Sequence, residues 1–457
     1  MPAAAIAGAR DPEIVIESLD HEGRGIGRVG GERDGKVIFV EGALVRERVR
    51  YSSYRKKPNY ENAVATEIIR ASPGRVEPRC PHFEVCGGCS LQHLDSRAQV
   101  AVKQRVLEDA LWHIGKLRPA QVYRAIHGPS WGYRTKARLT VRDVAKKGGV
   151  LVGFHEKRSS FVADMKECHV LPPAISALLA PLRGLVGALS IRRELPQIEL
   201  AVGDAPGPTR AVLVLRILAP LTCSDEALLR GFADRHGVHF WLQTKGPDSA
   251  APFYPSDSSL AYTLPEFGIR MPFMPTDFIQ VNPHINRVLI ARALALLDPQ
   301  PHERIADLFC GLGNFSLPIA TRAGEVVGIE GSAAMTRRAL ENAQSNRLSE
   351  KCRFITANLF EATAEQFGEL GKFDKMLIDP PREGALAVVK AVSAIARHIP
   401  HAAPTRLVYV SCNPPTLARD ASVLVHEGGY VLCGAGVVNM FPQTSHVESI
   451  AVFEKAA

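Results

Sequence analysis

The chain has 457 residues, 46% hydrophobic and 22% charged, which excludes a disordered or fibrous protein and leaves material for two to four domains. Its net charge is +8, yet residues 1–150 hold 26 basic and 17 acidic groups while residues 151–457 hold 29 and 30, so the whole excess sits in the first third. A basic region on a near-neutral body points to a polyanion partner, most often nucleic acid. No run of about 18 apolar residues marks a membrane span. The N-terminal MPAAAIAGARDPE lacks the charged and apolar regions of a signal peptide, so a cytoplasmic protein without a membrane partner is expected.

Residues 10–70 read as short strands and turns. EIVIESL, GRGIGRV, KVIFVEGALV, RVRYSSYR and YENAVATEII alternate apolar and polar residues with glycines between them. The expectation is a small OB-like β-barrel, an architecture that often binds oligonucleotides. Within it, residues 46–60 (RERVRYSSYRKKPNY) set six basic residues and three tyrosines against one acid. Cations for phosphates interleaved with rings for bases suit nucleic acid; tyrosines packed on the barrel are the plain alternative. ASPGRVEP (71–78) then reads as a linker.

The nine cysteines are an odd count, which argues against a disulfide framework. Three lie close together in CPHFEVCGGCSLQHL: Cys80, Cys86 and Cys89. Gly87 and Gly88 allow the tight fold that points Cys86 and Cys89 at one centre. Cys168, in DMKECHVL, is the best fourth thiol. Zinc ribbons usually pair two CxxC knuckles, whereas this uneven three-plus-one layout fits an iron–sulfur cluster better. Zinc and unrelated buried thiols are the alternatives. His82, His93 and His169 are read as neighbours rather than ligands.

A helix is expected near residues 95–115, followed by antiparallel-like strands in WGYRTKARLTVRDVAKKGGVLVGFHEKRSSFV and mixed helices and strands to about residue 270. Residues 71–275 are read as one α+β domain holding the metal site.

From residue 276 to 457 the pattern is strand–helix alternation, the mark of a doubly wound parallel sheet. Its first strand ends in DLFCGLGNFSLPIA, where Gly311 and Gly313 let a ligand approach the backbone at a helix start. Glu330, at the end of the next strand, is placed to accept ribose hydroxyls. The loop is poorer in glycine than a dinucleotide fingerprint and resembles the S-adenosylmethionine (SAM) loop of class I methyltransferases. Asn358 closes the third strand, placed to meet the adenine. Asp379 closes the fourth, where reactants meet.

The fifth strand ends in VYVSCNPPTLARD, which sets Cys412 in a rigid turn on the reactant edge as a nucleophile candidate. Carbon 5 of uracil is a weak nucleophile, and thiolate addition at carbon 6 activates it toward the SAM methyl group. The adduct must then lose its carbon 5 proton to a base. FPQTSHVESIAVF offers Glu448 for that role, with His446 on the same face of an extended strand.

Together these segments resemble the bacterial RNA (uracil-5-)-methyltransferases that modify 23S ribosomal RNA and carry a TRAM barrel and an iron–sulfur cluster. EGRGIGR and IFVEGALVRE carry the resemblance in the barrel, and CPHFEVCGGCSLQHL with Cys168 carries it in the cysteine region. DFIQVN, DLFCGLGNFSLP, IDPPREG, YVSCNPPTLARD and MFPQTSHVES carry it in the catalytic region, in order. The resemblance implies Cys412 as nucleophile and Glu448 as base. It implies Gln280, Phe309, Asn314, Glu330, Asn358 and Asp379 around SAM and uracil, and Cys80, Cys86, Cys89 and Cys168 on a [4Fe–4S] cluster that is structural and RNA-contacting. Gln280 and Phe309 enter on resemblance alone. It further implies a monomer acting on a flipped-out uridine of 23S rRNA, stacked on aromatic side chains.

Two rivals stand beside this reading. A related tRNA enzyme is disfavoured on the expectation that such enzymes lack the barrel and the cysteine region. A non-catalytic RNA-binding protein on an inactive methyltransferase is disfavoured by Cys412 and Glu448.

Overall fold

The computed structural model describes residues 11–31, 35–204 and 210–456. Most of the stretch read for a signal peptide, residues 1–10, lies outside them.

Strands Glu13–Val15, Ser18–Leu19, Gly25–Arg28, Val37–Glu41, Arg48–Lys56 and Tyr60–Arg70 form one six-stranded sheet. Alternate residues face its core, which contains Ile14, Ile16, Ile38, Val40, Val49 and Tyr51. The outermost strands of its order, Glu13–Val15 and Ser18–Leu19, are consecutive in sequence, so one bent segment supplies both edges. Tyr51 is 6% exposed in this core, and Tyr60 packs edge-on to Phe39 at 6.0 Å. Tyr51 therefore packs in the core, and Tyr60 is half-buried against Phe39. Tyr54 is exposed, with the Arg158 guanidinium 4.7 Å above its ring. Glu47, fully buried, takes Arg75 in two hydrogen bonds of 2.6 and 2.7 Å and accepts the N–H groups of Leu44 and Ser72. The segment read as a linker is thereby fastened to the sheet.

A second six-stranded sheet follows, in the order Ala251–Tyr254, Val238–Gln243, Arg210–Arg216, Gln197–Gly203, Lys136–Val144, Gly149–Gly153. It is antiparallel except where Arg210–Arg216 and Val238–Gln243 run parallel across the helix Cys223–His236. Thr222 and Asp225 cap that helix reciprocally.

The third sheet has eight strands, ordered Cys352–Thr356, Glu325–Glu330, Arg304–Leu308, Lys375–Ile378, Arg406–Ser411, Glu448–Lys455, Tyr430–Val438, Gln121–Val122. The first five are parallel, and Glu448–Lys455 is antiparallel to both its neighbours. Val408, Val410, Ile305 and Val326 face one covering layer, and Leu407, Tyr409, Ala306 and Val327 face the other. Burial on both faces explains the continuous apolar runs. Truncating fully buried Leu407 to Ala would cost about 2–5 kcal/mol.

Two features depart from the linear reading. The helix Ser96–His113 is capped by Asp95, and its Leu107, Ala110 and Leu111 join the core of the third sheet, not the second. Gln121–Val122 extends that same sheet beside Gly434 and Ala435. In addition, the helix Pro414–His426 was not expected, because Pro414-Pro415 reads as a turn. Proline is tolerated in the first turn, where its missing N–H has no helical partner.

Candidate active site

Cys412 follows the strand Arg406–Ser411 and precedes the helix Pro414–His426. Antiparallel pairing sets Ser411 opposite Ser449, so Cys412 and Glu448 are the next residues outward on adjoining strands. The turn is fixed locally: Asn413 N–H donates to Ser411 Oγ, and Ser411 Oγ–H to Asn413 O, both at 3.1 Å. Asn413 Nδ2 and Thr416 Oγ1 donate to Arg382 O at 3.0 and 3.3 Å, pinning the loop after Asp379 against Cys412. Buried Asp420 holds the far end of that loop, accepting Ala385 N–H at 2.6 Å and Tyr409 OH at 2.7 Å.

Burial pushes Glu448 up to about 7, against the opposing charges of Lys103 and Arg382. Burial also raises the Cys412 thiol to about 12, with the Glu448 and Asp379 carboxylates adding to it and Arg382 opposing. Burial, then the same Glu448 and Asp307, lifts Asp379 well above the usual carboxylate range. Three acids thus share one desolvated site and cannot all ionise together. Arg382 is exposed at the rim, its Nη2 3.2 Å from His446 Nδ1. Burial, with Arg382, Lys103 and Arg134 nearby, depresses His446 to about 4, so its ring is neutral and accepts from Arg382. His446 lies before the strand, which begins at Glu448, and its ring packs on Phe441.

The glycine loop lies at the end of the central strand Arg304–Leu308. Phe309 adopts φ 62°, a left-handed conformation unusual for a bulky residue, and donates its N–H to Ile329 O at 2.8 Å. Gly313, at φ 93°, has no room for a side chain, since a Cβ would stand 2.6 Å from Leu317. Glu330 accepts Gly311 N–H at 3.2 Å and Ser332 N–H at 3.0 Å, which orients its carboxylate beside the loop. Buried Asp307 gives one oxygen to Ser316 Oγ–H at 2.5 Å, while its Oδ1 has no partner. Burial raises Asp307 to about 7.

Gln280, Tyr262, Asn286 and Asp204 line a cavity of about 230 Å³. Asn314 reaches this lining through a reciprocal pair with Asn286 (2.9 and 3.0 Å) and accepts Tyr262 OH at 2.9 Å. Asn358 is exposed, and its Oδ1 accepts the Phe360 N–H. Phe360 is 51% exposed beside Phe309, ring centroids 5.7 Å apart. The strand-end candidates therefore gather on one edge of the sheet, with Gln280 and Asn314 at the adjacent cavity.

Cys80, Cys86, Cys89 and Cys168 line a second, enclosed cavity with Phe83, Gln92 and Met165. All four are free thiols. Burial raises each of them, Cys89 to about 12 and Cys168 to about 11. Among the described residues, no three His, Cys, Asp or Glu side chains converge as on a single metal ion. His93 is buried near Phe83 with neither ring nitrogen bonded, while His82 accepts the Lys166 N–H.

Sequence reasoning did not single out Lys103, Arg382 or Asp420. Lys103 had a legible signal: with Gln99 and Leu107 it falls on the core-facing period of its helix.

A family profile described as tRNA (Uracil-5-)-methyltransferase matches residues 268–456. A protein of Cupriavidus pinatubonensis named 23S rRNA (uracil(1939)-C(5))-methyltransferase RlmD is 65% identical over 454 residues, covering 99% of this chain and 97% of that relative. One of the same name from Ralstonia nicotianae is 65% identical over 448 residues, covering 97% and 99%. Among solved structures, the Pyrococcus abyssi tRNA (uracil-54, C5)-methyltransferase in complex with S-adenosyl-L-homocysteine superposes with a TM-score of 0.70 at 22% identity, covering 96% of this chain and 99% of that one. That similarity of fold spans the front half as well. It overturns the expectation that tRNA enzymes are set apart by lacking the front-half fold, barrel included. Identity along almost the whole length places the chain in the RNA (uracil-5-)-methyltransferase family.

Proposed function

We propose that the protein transfers a methyl group from SAM to carbon 5 of one uridine in 23S rRNA, through a covalent adduct with Cys412 that Glu448 resolves. The observation that carries this reading is the placement of Cys412 and Glu448 side by side on adjoining strands, at the edge where the glycine loop ends. Cys412 gives its thiol proton to solvent, with the Arg382 cation favouring the thiolate, and the sulfur adds to carbon 6; carbon 5 then gains the methyl group that SAM supplies. Glu448 then takes the carbon 5 proton, the electron pair re-forms the carbon 5–carbon 6 double bond, and the carbon–sulfur bond breaks. A carboxylate raised to about 7 is matched to this base role near neutral pH. Glu330, the Gly311 backbone and the unpaired Asp307 oxygen suit the polar parts of SAM, and Gln280, Asn314, Asn358 and Asp379 complete its surroundings with the uracil. A monomer is the proposed working form.

The four cysteines fit a metal group by the chemistry of their donors: four free thiols around one cavity, Cys86 and Cys168 buried and Cys80 and Cys89 half-buried. The uneven three-plus-one spacing of these cysteines favours a [4Fe–4S] cluster over one zinc ion. The N-terminal sheet supplies the TRAM-type RNA grip, and the uridine is flipped out to reach Cys412. The names of the relatives favour rRNA over tRNA; the fold alone does not decide.

The test is mass mapping of methylated uridines in ribosomal RNA from a strain lacking the gene, with and without the wild-type or Cys412→Ala protein. Loss of one 23S rRNA methyluridine, restored only by wild type, is expected. Loss from tRNA instead would move the reading to the tRNA substrate.

A further inference from the structure

One buried charge has no part in the chemistry above. Lys103, in the helix Ser96–His113, is 1% exposed. Its Nζ donates to Asn439 Oδ1 at 2.7 Å and to Phe441 O at 2.8 Å. Among the described residues, it has no carboxylate within 4.0 Å. Desolvating an ammonium costs several kcal/mol, and two neutral acceptors offset only part of that. A leucine at this position would fill the space without the cost.

The register shows what the charge faces. Val438 stands opposite Glu448 on the paired strands, and Asn439 is the next residue. Lys103 therefore binds one residue beyond the cross-strand partner of the proposed base. Burial lowers Lys103 to about 7, with the Glu448 charge opposing, so the ammonium is held at and below neutral pH; Lys103 is in turn the first cation acting on Glu448. Gln99, one turn earlier on the same helix face, grips the same segment: its Nε2 donates to Gln443 Oε1 at 3.0 Å, and its Oε1 accepts Gln443 N–H at 2.9 Å.

We propose that Lys103 is a positioning residue for Glu448: it holds the Asn439–Phe441 turn and places its ammonium on the buried side of Glu448, which keeps Glu448 able to accept the carbon 5 proton. This deepens the proposed reaction and rests on Glu448 being its base. The other groups facing Glu448 are Arg382 from the loop after Asp379, Asp379 itself, and Cys412 across the strand pair. His446 is neutral beside Arg382, so it contributes no charge. Arg382 is at the exposed rim and solvent screens it, whereas Lys103 acts through the dry side of the site. The charge comes from a helix outside the profile-matched residues 268–456, which makes the front half part of the active site.

The experiment is a single-turnover pH series on the full-length, metal-loaded protein, with 23S rRNA transcript and methyl-labelled SAM, following both free methylated RNA and denaturation-resistant protein–RNA adduct. Removing the cation raises the pKa of Glu448, so the acid limb of adduct resolution should move upward in Lys103→Gln and Lys103→Met, by about one pH unit. That corresponds to about tenfold slower resolution at a given pH below the limb. Lys103→Arg, which keeps the charge, should retain the wild-type limb. A slowed Lys103→Gln protein whose limb has not moved would overturn the proposal and leave Lys103 a structural residue. Lys103→Met provides a second variant if the amide fails to fold, and the same unmoved limb in it overturns the proposal equally. Glu448→Gln serves as control: normal turnover there would sink the base reading itself, separately from the Lys103 result.

Discussion

The carbonyl oxygen of Gln443 accepts the backbone N–H of Ser90 at 3.0 Å, and Ser90 Oγ accepts the N–H of Ser445 at 2.8 Å. Ser90 adjoins Cys89, and Ser445 lies three residues before Glu448. The cysteine loop is thus a wall of the segment that delivers the proposed base. Tyr133 OH, donating to Pro442 O at 2.9 Å, adds a second strut.

Removal of the proposed metal group should therefore be felt at Glu448. Chelation, or Cys89→Ser, is expected to loosen residues 439–448, seen as faster amide exchange there, and to lower methyl transfer. Iron and sulfide analysis before and after reports the group directly. Unchanged exchange in this segment would show that the cysteine loop stands without a metal, and stoichiometric zinc without iron would replace the proposed cluster.

The Glu47–Arg75 pair should govern how firmly the N-terminal sheet is attached. Arg75→Ala leaves the fully buried Glu47 carboxylate with only two backbone donors and is expected to cost about 3 kcal/mol. Hydrogen bonds from Arg75 and from the backbone overcome burial and hold Glu47 below its usual range. A depressed carboxylate contributes stability above its unfolded pKa and loses it as pH falls through the folded one. Acid should accordingly weaken wild type more than Arg75→Ala, as read by denaturant melts across pH.

RNA affinity should respond to Arg55, Lys56 and Lys57. All three are exposed and free of ion pairs among the described residues, whereas Arg50 nearby is committed to Glu13 and Glu67. Neutralising the three is expected to weaken RNA binding and reduce the salt slope by about 0.7 per lost phosphate contact. SAM binding should be unchanged. An unaltered slope would show that RNA bypasses this strand end.

Glu448 also leaves a mark on stability. Its folded pKa of about 7 lies above the unfolded value, so the folded state holds a proton through a window where the unfolded chain has lost it. Stability then falls as pH rises through that window, by up to roughly 1.4 kcal/mol per pH unit. Glu448→Gln cannot titrate and should gain on wild type from pH about 4.5 to about 7. Parallel curves would mean that Glu448 is not desolvated.

The sequence revealed what depends on local order. Alternation in EIVIESL and KVIFVEGALV marked the first sheet's strands, and continuous apolar runs marked the parallel strands that end at Leu308, Glu330 and Ser411. Thiol and carboxylate at two strand ends were legible because strand ends determine the reactant edge. Hidden features depend on distant pairing. The core-facing position of Lys103 is legible in its helix period, but nothing near it shows that the helix packs on the third sheet and not the second. Arg382 was in plain view in IDPPREG, but its role needs the turn at Asn413 that pins its carbonyl. Tyr51 took the packed alternative because alternate residues of its strand face the core.

The most direct measurement is denaturing electrophoresis of the Glu448→Gln protein after incubation with 23S rRNA and methyl-labelled SAM. A slow-migrating, methyl-labelled protein–RNA species that vanishes when Cys412→Ala is added to the same chain is the expected result. Normal turnover by Glu448→Gln with no such species would contradict the covalent route through Cys412 and Glu448.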